Sequence, residues 1–208
     1  MLAIIGTYRG LEYVPRLLAS LQEHASGITE TVFVDDSGDP AVRKALAQWG
    51  DVHEVADENA GYNAAMQCVV NLGQDYGDHA AFIEEDFVFT SMTDFTMLAA
   101  HIDAHPYLSQ VVLQRPAWFP VELRAGDMLK VYKNRGKQFK DVHGFFEHEH
   151  FFSCNPAVWN IETFKAGWPL GDWSEDMKRA VELDAGRKFA ISKDIRVRHE
   201  GVRSGKGY

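Results

Sequence analysis

Short apolar runs in the first half of the chain alternate with segments whose apolar residues recur at helical spacing. The runs typical of buried strands are residues 3–5, 31–34, 53–56 and 80–83. The intervening helices are predicted at residues 11–21 and 40–49 and after Gly61. This alternation predicts an α/β fold in which a mostly parallel sheet is covered by helices on both faces. Right-handed crossovers would place the loops that follow the strands along one edge of the sheet.

The middle of the chain is less regular than its first third. A helix is predicted at residues 94–105 and a strand at residues 108–113. Residues 115–150 then show no sustained period. An irregular stretch of that length in a compact domain is usually functional or mobile.

The last quarter of the chain is predicted to contain two helices and two strands. Asn155 with Pro156 is predicted to begin one helix, and Ser174 is predicted to cap the other. The strands are predicted around residues 189–191 and 195–197.

The composition is that of one well-packed domain. The chain has 208 residues, of which 46% are hydrophobic, and this length can bury a substantial core. We therefore predict a single domain over residues 1–208, with a regular half at 1–114 and an elaborated half at 115–208. No run approaches the ~18 uninterrupted apolar residues of a membrane span. Residues 1–6 enter a strand without the basic region of a signal peptide.

Cysteine content and charge narrow the expected location and partners. Cys68 and Cys154 have no metal-binding spacing, so we predict two buried thiols in a reducing compartment and expect a cytoplasmic location. The formal net charge of -9 argues against general binding to a nucleic-acid backbone. Basic residues nevertheless gather between Arg124 and Lys140, which leaves a local anionic ligand open.

Three consecutive acids, Glu84-Glu85-Asp86, follow the apolar run at residues 80–83. Ligands of open α/β sheets bind where strands end. Like charges this close repel one another, and a divalent cation with hard oxygen ligands, Mg²⁺ or Mn²⁺, would remove that cost. The alternative is a solvated turn after a strand.

A second acidic element, Asp35-Asp36-Ser37-Gly38, ends the strand at residues 31–34. It fits an Asx turn that leads into a helix cap. It also fits a fixed acceptor for a nucleobase imide N–H or a ribose hydroxyl. A dinucleotide-binding Rossmann site is excluded, because Gly6-Thr7-Tyr8-Arg9-Gly10 follows the first strand in place of G-x-G-x-x-G. There is no Walker A motif.

Two acids, Glu175 and Asp176, lie in the first turn of the predicted last helix. Acids in this position are ordinary partners of the helix dipole. The functional alternative is a general base near the helix N-terminus that accepts a proton from an incoming hydroxyl. The nucleophile elbow G-x-S-x-G is absent from the sequence.

Histidines supply the remaining candidate ligands. His199 follows a predicted strand and precedes a tail containing Arg203 and Lys206. A structural histidine with a disordered tail is one interpretation. The other is a metal ligand followed by a basic flap that closes over a pyrophosphate. The cluster from His143 to His150 is either a second metal site or a polar loop on the acceptor side.

Taken together and in this order, these motifs resemble those of a family 2 glycosyltransferase of the GT-A fold. The family's V-V-D-D-x-S element is similar to Phe33-Val34-Asp35-Asp36-Ser37, and its N-x-G-x-x-x-A element is similar to Asn59-Ala60-Gly61-Tyr62-Asn63-Ala64-Ala65. Its D-x-D signature resembles Glu84-Glu85-Asp86, its E-D base motif Glu175-Asp176, and its late histidine His199. The resemblance covers nearly the whole chain, and its strength lies in the order and spacing of five individually weak motifs.

The resemblance implies an inverting enzyme that moves a sugar from a nucleotide-diphosphate sugar, with a UDP-sugar favoured, to a hydroxyl acceptor of unknown class. It implies Mn²⁺ or Mg²⁺ on Asp86, His199 and Glu84, and a catalytic base at Asp176 beside Glu175. Residues 1–114 would then bind the donor, and residues 115–208 would bind the acceptor and carry the catalytic base. The implied nucleotide-sugar-binding residues are Thr7, Tyr8, Arg9, Asp35, Asp36, Asn59, Gly61, Asn63, Glu85, Arg203 and Lys206.

The sequence departs from the family pattern in two ways. Glu84 replaces the usual first Asp of the signature, so the metal is expected mainly on Asp86. The family's membrane helices are missing, which favours a soluble acceptor over a lipid carrier. Two alternatives stay open: a nucleotidyltransferase, which normally has a Gly-rich phosphate loop, and an inactive nucleotide-sugar or carbohydrate-binding protein, which needs no base.

Overall fold

Strands and helices alternate along the chain in a computed structural model that describes residues 1–8 and 10–201. The strands are β1 (Leu2–Thr7), β2 (Ala25–Ser26), β3 (Glu30–Asp35), β4 (Asp51–Glu54), β5 (His79–Glu84), β6 (Phe87–Phe89), β7 (Thr93–Asp94), β8 (Leu108–Gln114), β9 (Lys140–Val142), β10 (Phe145–His148), β11 (Ala157–Asn160), β12 (Lys188–Ile195) and β13 (Val197–His199). The helices are α1 (Val14–His24), α2 (Pro40–Leu46), α3 (Tyr62–Asp75), α4 (Phe95–Ala104), α5 (Pro120–Ala125), α6 (Met128–Asn134), α7 (Ile161–Lys165) and α8 (Ser174–Asp184). The regular first half predicted from the apolar pattern is confirmed.

A central mixed sheet organises the fold, with strand order β4-β3-β1-β5-β11-β8-β12-β10-β9. The first four strands in this order are mutually parallel. β11 is antiparallel to both of its neighbours, and β12 returns parallel to β8. β10 and β9 add an antiparallel edge. The α/β fold class is therefore confirmed, with a parallel core that antiparallel strands extend.

Buried residues on both faces of the sheet explain why helices pack against both faces. Ile4 and Ile5 are adjacent in β1 and point to opposite faces, as successive strand residues must. Ile4 packs with Phe82 and Trp159 in one core cluster. Ile5 packs with Phe33 in the other. Each fully buried side chain of this size contributes about 1.5–3 kcal/mol relative to exposure.

The carboxyl ends of the parallel strands meet along one edge, as predicted. Thr7 at the end of β1 pairs with Asp35 at the end of β3. On the other side of β1, Gly6 pairs with Glu84 at the end of β5. The acidic residues that follow β3 and β5 are therefore separated by a single strand.

A small two-stranded sheet brings the end of the described chain back to this edge. β13 pairs with β6 in antiparallel register, so that His199 lies opposite Phe87. The backbone N–H of Glu200 donates to the carbonyl of Asp86 at 2.7 Å. His199 is thus placed beside the acid cluster, although more than a hundred residues separate them in the sequence.

Two predicted helix starts were wrong. Residues that follow Asn155-Pro156 form the buried strand β11, because Ala157, Val158 and Trp159 fill the gap between β5 and β8. Ser174 is the first residue of α8 and not its cap. Trp173 takes the preceding position with φ of 61°, a left-handed conformation that is uncommon for a residue other than glycine.

Buried polar contacts hold α8 against the sheet. Lys178 and Glu182, both on α8, form a fully buried ion pair with Nζ 2.8 Å from Oε1. Lys178 also donates to the carbonyls of Thr163 and Gly167 at 2.7 Å, and Glu182 accepts from the hydroxyl of Ser109 on β8 at 2.6 Å. Removing one partner of such a pair costs about 3–5 kcal/mol, because the other charge stays buried. Among the described residues, no helix is long and apolar enough to cross a membrane.

Candidate active site

The ends of β1 and β3 are braced by their own hydrogen bonds. The hydroxyl of Thr7 donates to the carbonyl of Val34 at 3.1 Å. Oδ1 of Asp35 accepts the backbone N–H of Ser37 at 3.0 Å, which is the Asx turn expected from the sequence. Both side chains are buried, so they shape this edge of the sheet.

Asp36 holds the loop in front of α3. Its Oδ2 atom accepts from Nδ2 of Asn59 at 3.0 Å, and its Oδ1 atom accepts the backbone N–H of Ala60 at 3.1 Å. Burial outweighs these hydrogen bonds and raises the pKa of Asp36. Gly61 follows with φ of 87°, a conformation that favours glycine, and α3 begins at the next residue.

A cavity of 230 Å³ opens above these loops. The predicted nucleotide-binding residues that line it are Thr7, Tyr8, Asp36, Asn59, Gly61 and Glu85. Asn63 lies elsewhere: its Nδ2 donates to the carbonyl of Gly171 at 3.0 Å, so it joins α3 to the loop before α8. Arg9, Arg203 and Lys206 lie outside the described residues, and their roles stay predictions.

Glu85 is tied to the loop after β1. Its Oε1 atom accepts the backbone N–H of Tyr8 at 2.9 Å. A Cβ atom on Gly10 would lie 2.5 Å from the same oxygen, so glycine is required for this close approach. Burial raises the pKa of Glu85 to about 7.

The other two members of the acid cluster are also hard to ionise. Burial, followed by the charges of Asp86 and Glu175, raises the pKa of Glu84 well above its ordinary value. Burial raises the pKa of Asp86 to about 6. The predicted repulsion within the cluster is therefore present, but desolvation is the larger effect.

Asp86 and His199 face each other at the end of the small sheet. Oδ2 of Asp86 lies 3.4 Å from Nε2 of His199. The rings of Trp118 and Phe87 hold the imidazole from two sides, with centroids 4.4 Å and 4.7 Å from it. Burial, aided by the charge of Arg115, lowers the pKa of His199 to about 4, so the imidazole is neutral at neutral pH.

A larger cavity of 570 Å³ lies beside the first and is bordered by the N-terminal turn of α8. Glu175 and Asp176 both line it. Burial raises the pKa of Glu175 to about 7, and hydrogen bonding to the backbone of Cys154 opposes that shift. The hydroxyl of Tyr62 donates to Sγ of Cys154 at 3.0 Å. The side chain of Asp176 is 68% exposed, and its Oδ1 lies 3.8 Å from Nε of Arg179.

The two cavities adjoin, because Glu84 and Tyr62 line both of them. The smaller cavity is bordered by the ends of the parallel strands. The larger cavity is bordered by His199 and by the first turn of α8. The arrangement can therefore hold one ligand that extends from the first cavity into the second, next to a carboxylate.

Comparison with known proteins decides the family. The family model for glycosyl transferase family 2 matches residues 2–166 of the chain. The chain belongs to glycosyl transferase family 2. The resemblance carried by the five sequence motifs is thereby confirmed. A search of curated proteins found no match to this chain.

Solved structures of low sequence identity show the same GT-A-like fold. GalNAc-T7 with UDP, GalNAc and Mn²⁺ has a TM-score of 0.68 at 12% identity, over 95% of this chain and 43% of that one. Mannosyltransferase PcManGT from Pyrobaculum calidifontis, in complex with GDP-Man and Mn²⁺, has a TM-score of 0.66 at 16% identity, over 98% of this chain and 57% of that one. TarS 1-349 of S. aureus in complex with UDP gives 0.62 at 16% identity, over 95% and 59%. The present chain thus spans about 59% of TarS 1-349 and less of the other two.

The residues of this family 2 chain fit a divalent cation at Asp86 and His199. Oδ1 of Asp86 and Nδ1 of His199 are buried without a hydrogen-bond partner in the described part of the chain. A carboxylate oxygen and a neutral imidazole nitrogen both suit Mn²⁺. Within residues 1–8 and 10–201 no three His, Cys, Asp or Glu side chains form a metal-binding group. Further ligands would therefore include the donor's phosphate oxygens, as is usual for Mg²⁺ sites, and the metal role of Glu84 stays a prediction.

Arg115 is a site residue that the sequence analysis missed. Its guanidinium is buried and forms two hydrogen bonds with the carboxylate of Glu122, at 2.7 Å and 3.1 Å. It lines the larger cavity of this family 2 fold, and its positive charge partly opposes the rise that burial causes in the pKa values of Glu84 and Glu175. Arg115 is the first residue of the segment 115–150, in which apolar residues show no helical or strand periodicity, so no spacing indicated its role.

The histidine cluster near β10 packs as part of the structure. The ring of His148 lies 4.0 Å from that of Phe151, and burial lowers the pKa of His148 to about 3. Glu147 accepts from the hydroxyl of Tyr107 at 2.7 Å. These contacts favour the interpretation as a loop beside the site over a second metal centre.

The buried carboxylates predict a decrease in stability above pH 6.5. The pKa values of Glu85 and Glu175 rise from 4.5 to about 7 in the folded state, so that state binds more protons than the unfolded chain between these values. His199 and His148, with lowered pKa values, act oppositely but only below about pH 6.5. We expect the melting temperature in EDTA to fall from pH 6.5 to pH 8, with a smaller fall for Glu175→Gln. An increase over this range, or an equal slope in the variant, would contradict the assignment.

Proposed function

We propose that this protein is a metal-dependent inverting glycosyltransferase that moves a sugar from a nucleotide-diphosphate sugar to a hydroxyl acceptor. The single observation that carries the proposal is the pair of adjoining cavities that share Glu84 and Tyr62. The smaller cavity contains hydrogen-bond acceptors, among them the carboxylate of Asp36, that suit a nucleoside. The other has room for a sugar and an acceptor beside two carboxylates.

The donor is proposed to be a UDP-sugar. The smaller cavity is narrow and contains the carboxylate of Asp36, which can accept from the imide N–H of uracil. The solved relatives hold UDP in TarS, UDP with GalNAc in GalNAc-T7, and GDP-Man in PcManGT. UDP is favoured here because Asp36 is held by Asn59 and Ala60, and its carboxylate oxygens retain further lone pairs that can accept an imide N–H.

Asp86 and His199 are proposed to hold Mn²⁺ or Mg²⁺. When bound, the cation neutralises the charge that develops on the leaving nucleoside diphosphate. The neutral His199 ring is held in place by Trp118 and Phe87. Gly201 passes so close to Asp86 that a Cβ atom there would collide with Oδ2 of the carboxylate. These contacts orient both ligands before the donor arrives.

Asp176 is proposed as the catalytic base. Its carboxylate takes the proton of the acceptor hydroxyl while that oxygen attacks the anomeric carbon from the face opposite the nucleotide. The bond from the anomeric carbon to the phosphate oxygen breaks, and its electron pair leaves with the nucleoside diphosphate. Glu175 is less suited, because its side chain is half-buried and burial raises its pKa to about 7, whereas Asp176 is exposed and lines the cavity.

The donor assignment predicts a nucleotide preference. In calorimetric titrations with Mn²⁺ present, UDP should bind more tightly than ADP or CDP, because only uracil offers an imide N–H to Asp36 in this narrow cavity. Asp36→Asn should reduce the preference, whereas Asp184→Asn on the exposed end of α8 should leave it unchanged. Equal affinity for the three nucleotides would remove support for a role of Asp36 in base recognition.

A further inference from the structure

Positive charge is concentrated beside one wall of the larger cavity. Six cations occur between residues 123 and 140, against the single acid Asp127, in a chain whose formal net charge is -9. All six side chains are exposed. We call this surface the basic lip; its members are Arg124, Lys130, Lys133, Arg135, Lys137 and Lys140.

The basic lip borders the cavity through α6. Met128 and Tyr132 of this helix line the cavity. Lys130 and Lys133 of the same helix are exposed, and Nζ of Lys133 lies over the rings of Phe146 and Phe139 at 4.9 Å and 5.8 Å. Arg135 caps the C-terminal end of the helix, directly after its last turn. The charged surface therefore adjoins the cavity through α6, and its six cations lie outside the cavity lining itself.

The guanidinium groups of Arg135 and Arg179 act electrostatically on Tyr132, as does the proposed base Asp176. Burial is the main cause that raises the pKa of the Tyr132 hydroxyl to about 12. The charge of Asp176 acts in the same direction, and those of Arg135 and Arg179 act against it. Asp176, Arg135 and Arg179 thus all act electrostatically on this residue of the cavity wall, and Nε of Arg179 lies 3.8 Å from Oδ1 of Asp176.

Most of the basic lip is not neutralised by nearby acids. Lys130 and Lys140 lie 3.6 Å and 3.8 Å from Asp127 and Glu147. Among the described residues, no carboxylate lies within 4.0 Å of Arg124, Lys133, Arg135 or Lys137. Several exposed cations elsewhere are paired more closely, as Lys165 is with Glu162 at 2.8 Å and Lys188 with Glu149 at 2.7 Å. The lip thus keeps charge available for an anionic ligand.

Aromatic side chains line the same cavity. They are Tyr62, Trp118, Phe119, Tyr132, Phe151, Phe152 and Trp173. Trp173 is 62% exposed at the mouth, directly before the helix that carries Asp176. Flat aromatic faces pack well against the C–H faces of a sugar ring, while the ring hydroxyls remain free for polar contacts.

Resting on the proposed function, we propose that the acceptor is a carbohydrate that carries an anionic group, and that the basic lip binds this group so that a hydroxyl reaches Asp176. The anion is a phosphate, a sulfate or a carboxylate. Arg179 lies 3.8 Å from the base, Arg135 ends the helix that borders the cavity, and the outer lysines would extend the surface along the acceptor chain.

The test measures binding of fluorescently labelled dextrans of one length, in neutral, sulfated, carboxymethylated and phosphorylated forms, by fluorescence anisotropy. We expect at least one anionic form to bind about tenfold or more tightly than neutral dextran, with affinity that falls as salt rises. The form that binds best identifies the anion. Equal binding of neutral and anionic dextrans would overturn the proposal, as would tighter binding of a single-stranded oligonucleotide than of every dextran.

Matched charge reversals locate the site. Arg135→Glu with Lys137→Glu should weaken binding of the anionic dextran about tenfold or more, and the neutral pair Arg135→Gln with Lys137→Gln should weaken it less. Lys44→Glu with Lys165→Glu makes the same charge change on exposed helix positions outside both cavities and should stay within about twofold. Equal losses in the two reversals would overturn the assignment. Titration of the wild-type protein with UDP and Mn²⁺ tests the proposed donor function separately, whatever the dextrans show.

Discussion

Asp176→Asn is expected to transfer sugar about 10²-fold or more slowly than the wild-type protein. Asparagine keeps the shape of aspartate but cannot accept the proton of the acceptor hydroxyl. UDP and Mn²⁺ affinities should stay within a few-fold, because Asp176 lies in the larger cavity and is 68% exposed. Single-turnover transfer, measured beside calorimetric UDP binding, separates the chemical step from donor binding.

Two further variants make this result specific. Asp184→Asn removes an exposed carboxylate from the other end of the same helix and should transfer at the wild-type rate. Glu175→Gln should slow transfer less than Asp176→Asn, because burial raises the pKa of Glu175 to about 7 and leaves its carboxyl partly protonated at neutral pH. A near wild-type rate for Asp176→Asn would move the base elsewhere, with Glu175 the next candidate.

Asp86→Ala is expected to abolish metal-dependent turnover of the donor. The carboxylate is one of the two side chains that are proposed to bind the cation and that have a buried atom without a hydrogen-bond partner among the described residues. Its loss removes a ligand that His199 alone cannot replace. The melting temperature in EDTA should be unchanged or higher, because burial raises the pKa of Asp86 to about 6 and its ionised form is disfavoured in the fold at neutral pH. Thermal unfolding and donor hydrolysis, measured on the same preparation, check both halves of this prediction.

The control is Asp75→Ala at the exposed end of α3, which should retain both metal-dependent turnover and stability. Gly201→Ala offers an independent route to the same effect, because its Cβ atom would displace the Asp86 carboxylate. Full activity of the wild-type protein in excess EDTA would rule out the metal assignment.

The sequence predicted the parts of the site that follow strands. A strand followed by polar residues can be recognised from the sequence alone. The parallel topology then brings such strand ends together. Asp36 and Glu84 could therefore be assigned to one edge of the sheet by their positions after apolar runs alone. The register of β1 with its two neighbours confirms that placement.

The parts that could not be predicted depend on long-range packing. β11 has only four residues and is preceded by Asn155-Pro156, which looks like a helix start, yet the gap between β5 and β8 determines its conformation. Arg115 and Trp118 belong to a segment without a period, and their positions depend on the carboxylate of Glu122. Local sequence patterns do not indicate such long-range contacts. The same applies to Tyr62, which forms the wall between the cavities.

The division into a donor half at residues 1–114 and an acceptor half at residues 115–208 stays a prediction. Tyr62 and Asn63, both in the first half, contribute to the larger cavity, and Asn63 contacts the loop before α8. The boundary between donor and acceptor therefore runs through the shared wall of the two cavities. A cytoplasmic location and a soluble acceptor likewise stay predictions.

The most direct test of the central claim is a product analysis after incubation with mixed nucleotide sugars, Mn²⁺ and candidate acceptors. The account predicts release of a nucleoside diphosphate, favouring UDP, together with a mass increase of one sugar on an acceptor, and loss of both with Asp176→Asn. In a parallel incubation with nucleoside triphosphates and sugar phosphates, release of pyrophosphate would indicate a nucleotidyltransferase instead. Binding of nucleotide sugars with no diphosphate release and no mass increase on any acceptor would contradict the account and leave a binding protein.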